Sequence, residues 1–363
     1  MADWRSAMTQ TFEFYVVDPN TWCDVKKITT ITSASITRDS EVETRGSATF
    51  DITGDLEECY VRVYLVTIQN GLRETHPLGT FLVQSPSSSF DGKTKTAQVD
   101  GYTPLIELKE KNPPLGYSVL KEVEGVTTRI MDRVYRIVGD IDNGYRLVRA
   151  PVISASGDEE LKGDFVSNVD DTWLSFCIDL AKQAKYSFEL DELGRILFVP
   201  EQELDSMQPV WTYDDSNSSI LYPDISLDHD MFGIPNVVEV IYSGNDTVVT
   251  VTKTNDDPNS PVSTVSRGRR IVYRDSNPSF TGDPSLKEIE AYAEKLLETL
   301  STVEYTVSYS HGYCPVKLGD CVRLNYTRAG INNVKARVIR QTINCTPGCS
   351  VAETAVFTSK LWR

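Results

Sequence analysis

The first hundred residues are written in a period of two, and this constrains the fold more than any other feature of the chain. In "ITSASITRDSEVETRGSATFDITG", Ile36, Phe50 and Ile52 are spaced through Thr and Ser as in a sheet with one buried face. "CYVRVYLVTI", "GTFLVQSP" and "KTAQVDGY" follow the same rule, with Asn70-Gly71 and Asp91-Gly92 supplying turns. Many short strands with frequent turns predict a small antiparallel barrel or sandwich.

From Pro104 the spacing becomes helical. Val126, Ile130 and Val134 predict one helix in "PPLGYSVLKEVEGVTTRIMDRVYRIVGD". "DDTWLSFCIDLAKQAKY" predicts a second, with Asp171 as N-cap and Trp173, Cys177, Leu180, Ala181 and Ala184 in one apolar stripe. Cys177 therefore reads as a core thiol. In "YSFELDELGRILFVP", Leu193-Gly194 separates two alternating runs as a hairpin turn does. This middle part reads as a compact α+β insertion. After "IPNVVEVIYSG" and "TVVTVTKTN" comes a further helix, with Asp283 as N-cap and Pro284 at its first position. Leu286, Ile289, Ala293, Leu296, Leu297 and Leu300 share one face of it. "EYTVSYS", "DCVRLNY", "VKARVIRQTIN" and "AETAVF" return to strands, so a second β domain carrying one helix is the economical reading.

With 363 residues and 40% apolar content the chain can bury a substantial core, in two or three domains. "MADWRSAMTQTFEF" lacks the basic-then-apolar pattern of a secretory signal, and no apolar run approaches the ~20 residues that span a bilayer. Synthesis in the cytoplasm, reduced thiols and no membrane insertion are the expectations. A net charge of −16 argues against adhesion to nucleic acid, which needs Lys and Arg to displace counterions. Arg267, Arg269 and Arg270 in "VSRGRRIVYR" form the one basic cluster, expected as a solvated strand edge.

Motifs that carry chemistry are scarce. "GDIDNGY" has Gly144 one place early for a calcium loop, and a turn is expected there. "LDHD" sets Asp228, His229 and Asp230 side by side, but neighbours on extended chain point to opposite faces. The chain has three histidines, His76, His229 and His311, and no nucleophile elbow, phosphate loop or His-Glu-x-x-His motif. No catalytic, cofactor-binding or metal-ligating residue is assigned, no cofactor is expected, and the chain is not expected to be an enzyme. Four of the seven cysteines fall as C-x6-C…C-x3-C, Cys314 with Cys321 and Cys345 with Cys349, looser than the knuckles that wrap zinc. Free thiols are expected there, with a disulfide formed in the released particle, or zinc, as alternatives; Cys23, Cys59 and Cys177 show no pairing pattern. "PVKLGDCVRLNY" places Val322, Leu324 and Tyr326 on one strand face and Cys321, Arg323 and Asn325 on the other.

An ordered set of phrases spans nearly the whole chain. "GSATFDITG" and "PLGTFLVQSP" precede "AQVDGYTPLIEL", then "DDTWLSFCIDLAKQAKYSFELDELGRILFVP", "IPNVVEVIYSG", "NDDPNSPVSTVSRGRRIVYRD", "SLKEIEAYAEKLLETLS" and "LGDCVRLNY". In order and spacing the chain resembles the central hub proteins of the tail tip or baseplate of long-tailed bacteriophages and related contractile injection machines. The resemblance implies a mainly β (α+β) fold with two antiparallel β-barrel domains and an inserted α+β domain. The first barrel would comprise 1–105 plus about 202–232, the insertion 106–201, and the second barrel 233–363 with its helix near 284–300. It implies a homotrimer, six barrels in a ring, that joins a six-fold tail tube or distal tail protein to a three-fold spike or fibre. A tape-measure protein is a further implied partner. DNA would pass the channel without binding, past carboxylates lining it. The location implied is the virion tail, assembled in the host cytoplasm. Many hub chains of flexible tails continue into lytic or receptor-binding domains; here the expectation is that any cell-wall cleavage belongs to another polypeptide. The alternatives are a distal-tail-type adaptor ring and a carbohydrate-binding or carbohydrate-cleaving tail protein.

Overall fold

The alternating runs become strands because each has an apolar face to bury. In Gly46–Thr53, Ala48, Phe50 and Ile52 are buried while Ser47 and Asp51 are exposed. The computed structural model describes residues 2–83, 88–90, 92–93, 95–139, 147–155, 157–244, 247–276, 278–280 and 282–362. It is mainly β, 47% strand against 15% helix, with a large antiparallel sheet, and among the described residues no closed barrel is found.

Contacts divide the chain into two compact units, residues 1–224 with 309–354 and residues 225–308 with 355–363. In the first unit the strands run Asp24–Ile28, Thr9–Val17, Cys59–Gln69, Leu72–Val83, Lys95–Tyr102, Gly46–Thr53, Ile31–Asp39 and Ile331–Cys345, each antiparallel to the next. Cys321–Tyr326 joins Ile331–Cys345 antiparallel, and Trp211–Asp214 joins Cys321–Tyr326 in parallel. Ile331–Cys345, from the last part of the chain, pairs with Ile31–Asp39 within the first unit. Asn70-Gly71 makes the expected tight turn, with φ of 51° and 77°. Asp91 of the other expected turn, and all but Gly139 of "GDIDNGY", lie outside the described residues.

The described residues of this unit include two large cores. Ile36, Phe50, Ile52, Val61 and Val99 pack with Ile343 and Val351 in one. The other joins helix Ile130–Gly139 to helix Trp173–Gln183 through Val134, Ile137, Phe176 and Cys177, and reaches Val17, Tyr60 and Leu82 of the first strands and Trp22 of the loop before Asp24–Ile28. The middle segment thus shares a core with the β region it follows. Val126 is not helical: it lies in a two-residue ribbon strand, exposed, because Glu124-Gly125 turns the chain just before it. Thr172, not Asp171, caps the helix beginning at Trp173; its hydroxyl accepts from Ser175 N, and the Ser175 hydroxyl accepts from Thr172 N. The hairpin at Leu193-Gly194 pairs Tyr186–Leu190 with Ile196–Pro200, as expected.

In the second unit Val237–Gly244 pairs antiparallel with Thr247–Thr254 and parallel with Val272–Asp275. Helix Leu286–Leu300 lays Ile289, Ala293 and Leu297 on Val238, Val240 and Val251, while Leu286 stays exposed. The cap is Ser285 rather than Asp283, because Ser285 and Glu288 satisfy each other's backbone N–H in a capping box. Asp283 instead accepts from the Tyr242 hydroxyl at 3.3 Å.

Candidate functional site

A strand that hides one face should carry apolar side chains there. Two strands break that rule at the same place. Thr302–Gly312 sets Tyr309 and His311 at successive inward positions after Val307, and Ser350–Lys360 sets Glu353 between the buried Val351 and Ala355. Gln341 of Ile331–Cys345, Tyr213 of Trp211–Asp214 and Cys314 complete a cluster in which every member is buried.

Hydrogen bonds bind the cluster from strand to strand. Glu353 Oε1 accepts from the Tyr309 hydroxyl, and Oε2 accepts from Gln341 Nε2 at 2.6 Å and lies 3.4 Å from His311 Nε2. Gln341 Nε2 also donates to the Val316 carbonyl at 3.1 Å. His311 Nδ1 donates to the Gly312 carbonyl at 2.7 Å, and Nε2 lies 3.0 Å from the Tyr213 hydroxyl, itself 3.2 Å from Cys314 Sγ. Arg38 continues the network, donating to Gln341 Oε1 at 3.2 Å and to the Leu78 carbonyl at 2.8 Å. Burial opposes charge on His311, but the Cys314 thiol and the Glu353 carboxylate outweigh it and lift the imidazole to about 10. Burial, and then the Glu353 charge, hold the Tyr213 and Tyr309 hydroxyls well above the usual phenol range. Both side chains of the His311–Glu353 pair are sealed from solvent. Acid, base and thiol are all present and all buried, and their hydrogen bonds run from strand to strand.

Sequence reasoning singled out only His311 and Cys314 here. The missed signal was a charged or hydroxylated residue at an inward position of an alternating strand, as in "TVSYSHG" and "VAETAV".

The four clustered cysteines are buried free thiols. Cys345 and Cys349 flank the Thr-Pro-Gly turn and sit in the core of the large sheet, where the Cys349 carbonyl accepts from Tyr313 N at 3.0 Å, whereas Cys314 belongs to the polar cluster. Among the described residues no group of three or more His, Cys, Asp or Glu side chains is placed to hold a metal. Cys321 departs from the expected alternation: it is as buried as Val322 and Leu324, because it lies at the strand's start, where its carbonyl accepts from Val210 N at 2.9 Å.

The other candidates separate likewise. His229 stacks on Tyr305, 4.8 Å between ring centroids, and Tyr305 on Phe357 at 5.0 Å. Asp230 accepts from Phe232 N at 2.8 Å, so "LDHD" does not converge. His76 lies 3.2 Å from the Thr67 hydroxyl and packs edge-on to Trp4. Arg267 is not on a strand edge: Gly268, at φ 61°, ends the short helix Thr264–Arg267. The Arg267 guanidinium donates to the Ile234 carbonyl at 3.0 Å and to the Met231 carbonyl, and Arg269 lies 5.4 Å over the Phe232 ring. These arginines clamp the 231–234 loop.

No protein-family model matches the chain, and no curated protein matches it. Solved structures do. A tail protein from Neisseria meningitidis MC58 is 13% identical with a TM-score of 0.57, and the match covers 96% of each chain. The 43 kDa tail protein of prophage MuSo2 from Shewanella oneidensis is 13% identical with a TM-score of 0.55, over 95% of this chain and 98% of that one. A chain of the half-lidded Francisella PdpA-VgrG complex is 10% identical with a TM-score of 0.53, over 97% of this chain and 58% of that one. Over nearly its whole length, therefore, this chain has the fold of phage tail proteins, as the ordered phrases of its sequence led us to expect.

Proposed function

We propose that the protein is a structural hub of a phage or phage-like tail tip or baseplate, without enzymatic activity of its own. The observation that carries this reading is co-extensive likeness: the Neisseria and Shewanella tail proteins match from end to end rather than through one shared module. The sealed His311–Glu353 cluster supports it, since the most chemically equipped group of side chains is spent on holding strands.

In the proposed assembly three chains close a ring. Each contributes two barrel-like β regions, 1–105 with about 202–232 and 233–363, and 106–201 forms an insertion projecting outward. Six such units would meet a six-fold tube or distal tail protein, and the three-fold face a central spike or fibre, with the tape-measure protein as a further partner. A closed ring needs a heterologous contact that rotates by the closing angle. The excess of carboxylates, net −16, would line the lumen and keep passing DNA from adhering.

Image averages of the intact particle test the proposal. Three copies around an open channel are expected; six equivalent copies would move the assignment to a distal-tail-type adaptor. A neutral or basic lumen, or tight duplex binding near physiological salt, would remove the channel role. Glycan binding at millimolar affinity or better would favour the carbohydrate reading.

A further inference from the structure

The three-stranded sheet of the second unit is open along both sides. Among the described residues Thr247–Thr254 and Val272–Asp275 each have Val237–Gly244 as their one sheet neighbour. Outer strands are ordinarily blunted, and those ending the large sheet are: Asp24–Ile28 carries Lys26 and Lys27 beside a register shift, and Leu221–His229 contains Pro223. Thr247–Thr254 has none of these devices. Seven of its eight residues are β-branched, its pairing runs without a shift, and Lys253 reaches back to Glu294 of the helix at 4.0 Å. An edge so regular is a template for a further strand.

The two open sides fit each other in hydrogen bonding, in side-chain faces and in charge. Asn255 N donates to the Asn236 carbonyl at 2.8 Å, so by alternation Val248, Thr250, Thr252 and Thr254 turn their N–H and C=O groups to the open side. Val237 N donates to the Ile271 carbonyl at 3.1 Å, so Val272 and Arg274 turn theirs outward on the other side. Val237 stands opposite both Thr254 and Val272, which puts these two on one face of the sheet, opposite the face that packs on the helix through Val238. An antiparallel ladder that sets Thr254 against Val272 of another copy, and Thr252 against Arg274, therefore matches group to group and face to face. The same register carries the Asp256-Asp257 end of one side to the Arg269-Arg270 end of the other. Asp256 and Arg270 are exposed and in no ion pair among the described residues. The other charges there are already engaged within the chain: Asp257 with Asn259 N, Arg269 over Phe232, Arg267 with the Met231 and Ile234 carbonyls, Arg274 with Glu239, and Asp275 with the Tyr292 hydroxyl. We infer that Thr247–Thr254 of one copy receives Val272–Asp275 of the next, so that the sheet continues from copy to copy. The contact is head-to-tail, the kind that a closed ring needs. It deepens the ring reading above and rests on it for the number of copies.

The test is a disulfide trap in the full-length chain, with the exposed Cys23 replaced by serine and Thr254→Cys and Val272→Cys introduced. Within one chain these positions flank Val237 on opposite sides, ~9–10 Å apart, too far to bridge. Across the inferred contact they are directly opposed at ~5.5 Å, within reach of a bridge. Oxidation with copper phenanthroline should give disulfide-linked multimers, with a 254–272 bridge found by mass spectrometry. Thr252→Pro removes an outward N–H and spares the ladder to Val237–Gly244, and it should cut the yield several-fold. Arg270→Glu should cut it likewise, and Arg270→Glu with Asp256→Arg should restore it. Absence of the 254–272 bridge, an undiminished yield in folded Thr252→Pro, or no restoration by the charge swap would each overturn the inference. A three-copy ring in particle images without the bridge would keep the hub reading and sink this contact; the bridge in a chain absent from purified tails would do the reverse.

Discussion

The indole N–H of Trp22 donates to the backbone carbonyl of Leu193 at 2.8 Å, across 171 positions of sequence. The Thr80 hydroxyl at 2.9 Å and an Arg62 guanidinium N–H at 3.2 Å donate to the same oxygen, so the hairpin tip is held by two donors from neighbouring strands of the large sheet and one from the loop before Asp24–Ile28. Gly194 follows at φ 74°, and a Cβ there would lie 2.7 Å from Thr80 Cβ. Gly330 has nearly the same φ, 76°, but open space around it. Gly330→Ala should cost about 1–2 kcal/mol for the left-handed backbone alone. Gly194→Ala should cost at least about 1 kcal/mol more, because the overlap adds to it. Equal urea midpoints for the two variants would contradict this.

Glu353→Ala removes the acceptor of Tyr309 and Gln341 and leaves His311 without its counter-charge in a dry site. Breaking a buried pair from one side costs roughly 3–5 kcal/mol. Denaturant unfolding should show that loss.

The same pair sets a pH dependence whose sign is fixed by direction. His311 is raised in the folded state to about 10, from an unfolded value near 6.5. Its contribution is therefore complete below about pH 6.5 and is lost as pH rises through about 10. Melting temperature should fall over that window, and the fall should be shallower in His311→Gln. Identical slopes in the two proteins would remove His311 as the cause.

Ser285→Ala should cost about 1 kcal/mol, whereas Asp283→Ala should cost less, because Ser285 closes the capping box. Hydrogen exchange over Leu286–Leu300 reads this locally, with faster exchange in the first turn only for the serine variant.

Thiol labelling separates the cysteines by burial. Cys23 is exposed and should react with iodoacetamide in the native protein. Cys177, Cys314, Cys345 and Cys349 are buried and should react only on unfolding. Burial lifts the Cys349 thiol to about 12 and pushes Cys177 and Cys345 up as well. A chelator should leave the melting temperature unchanged; stoichiometric zinc with a large chelator-induced drop would overturn the free-thiol reading.

Period-two alternation located the strands because burial acts on every second residue, as in Ala48, Phe50 and Ile52. Helix ends were read less well: Asp and Ser are near-equal caps, and Thr172 and Ser285 won through reciprocal partners three residues on. The pairing of Ile331–Cys345 with Ile31–Asp39 left no local trace, since a ladder's partner is set by tertiary register. The His311 cluster was half visible. Its members are marked by polarity at inward positions, but only the fold brings Tyr213 within reach of His311.

The bond from Arg340 to Asp39 spans 301 positions and belongs to a ladder of six residue pairs. A ribosome adding roughly 5–20 residues per second emits the second strand some 15–60 s after the first. For that interval Ile31–Asp39 has an edge with no partner, and closing so long a loop is slow. Folding of the first unit is therefore completed only once Ile331–Cys345 has been made, and the waiting edge is where premature association between nascent chains would begin.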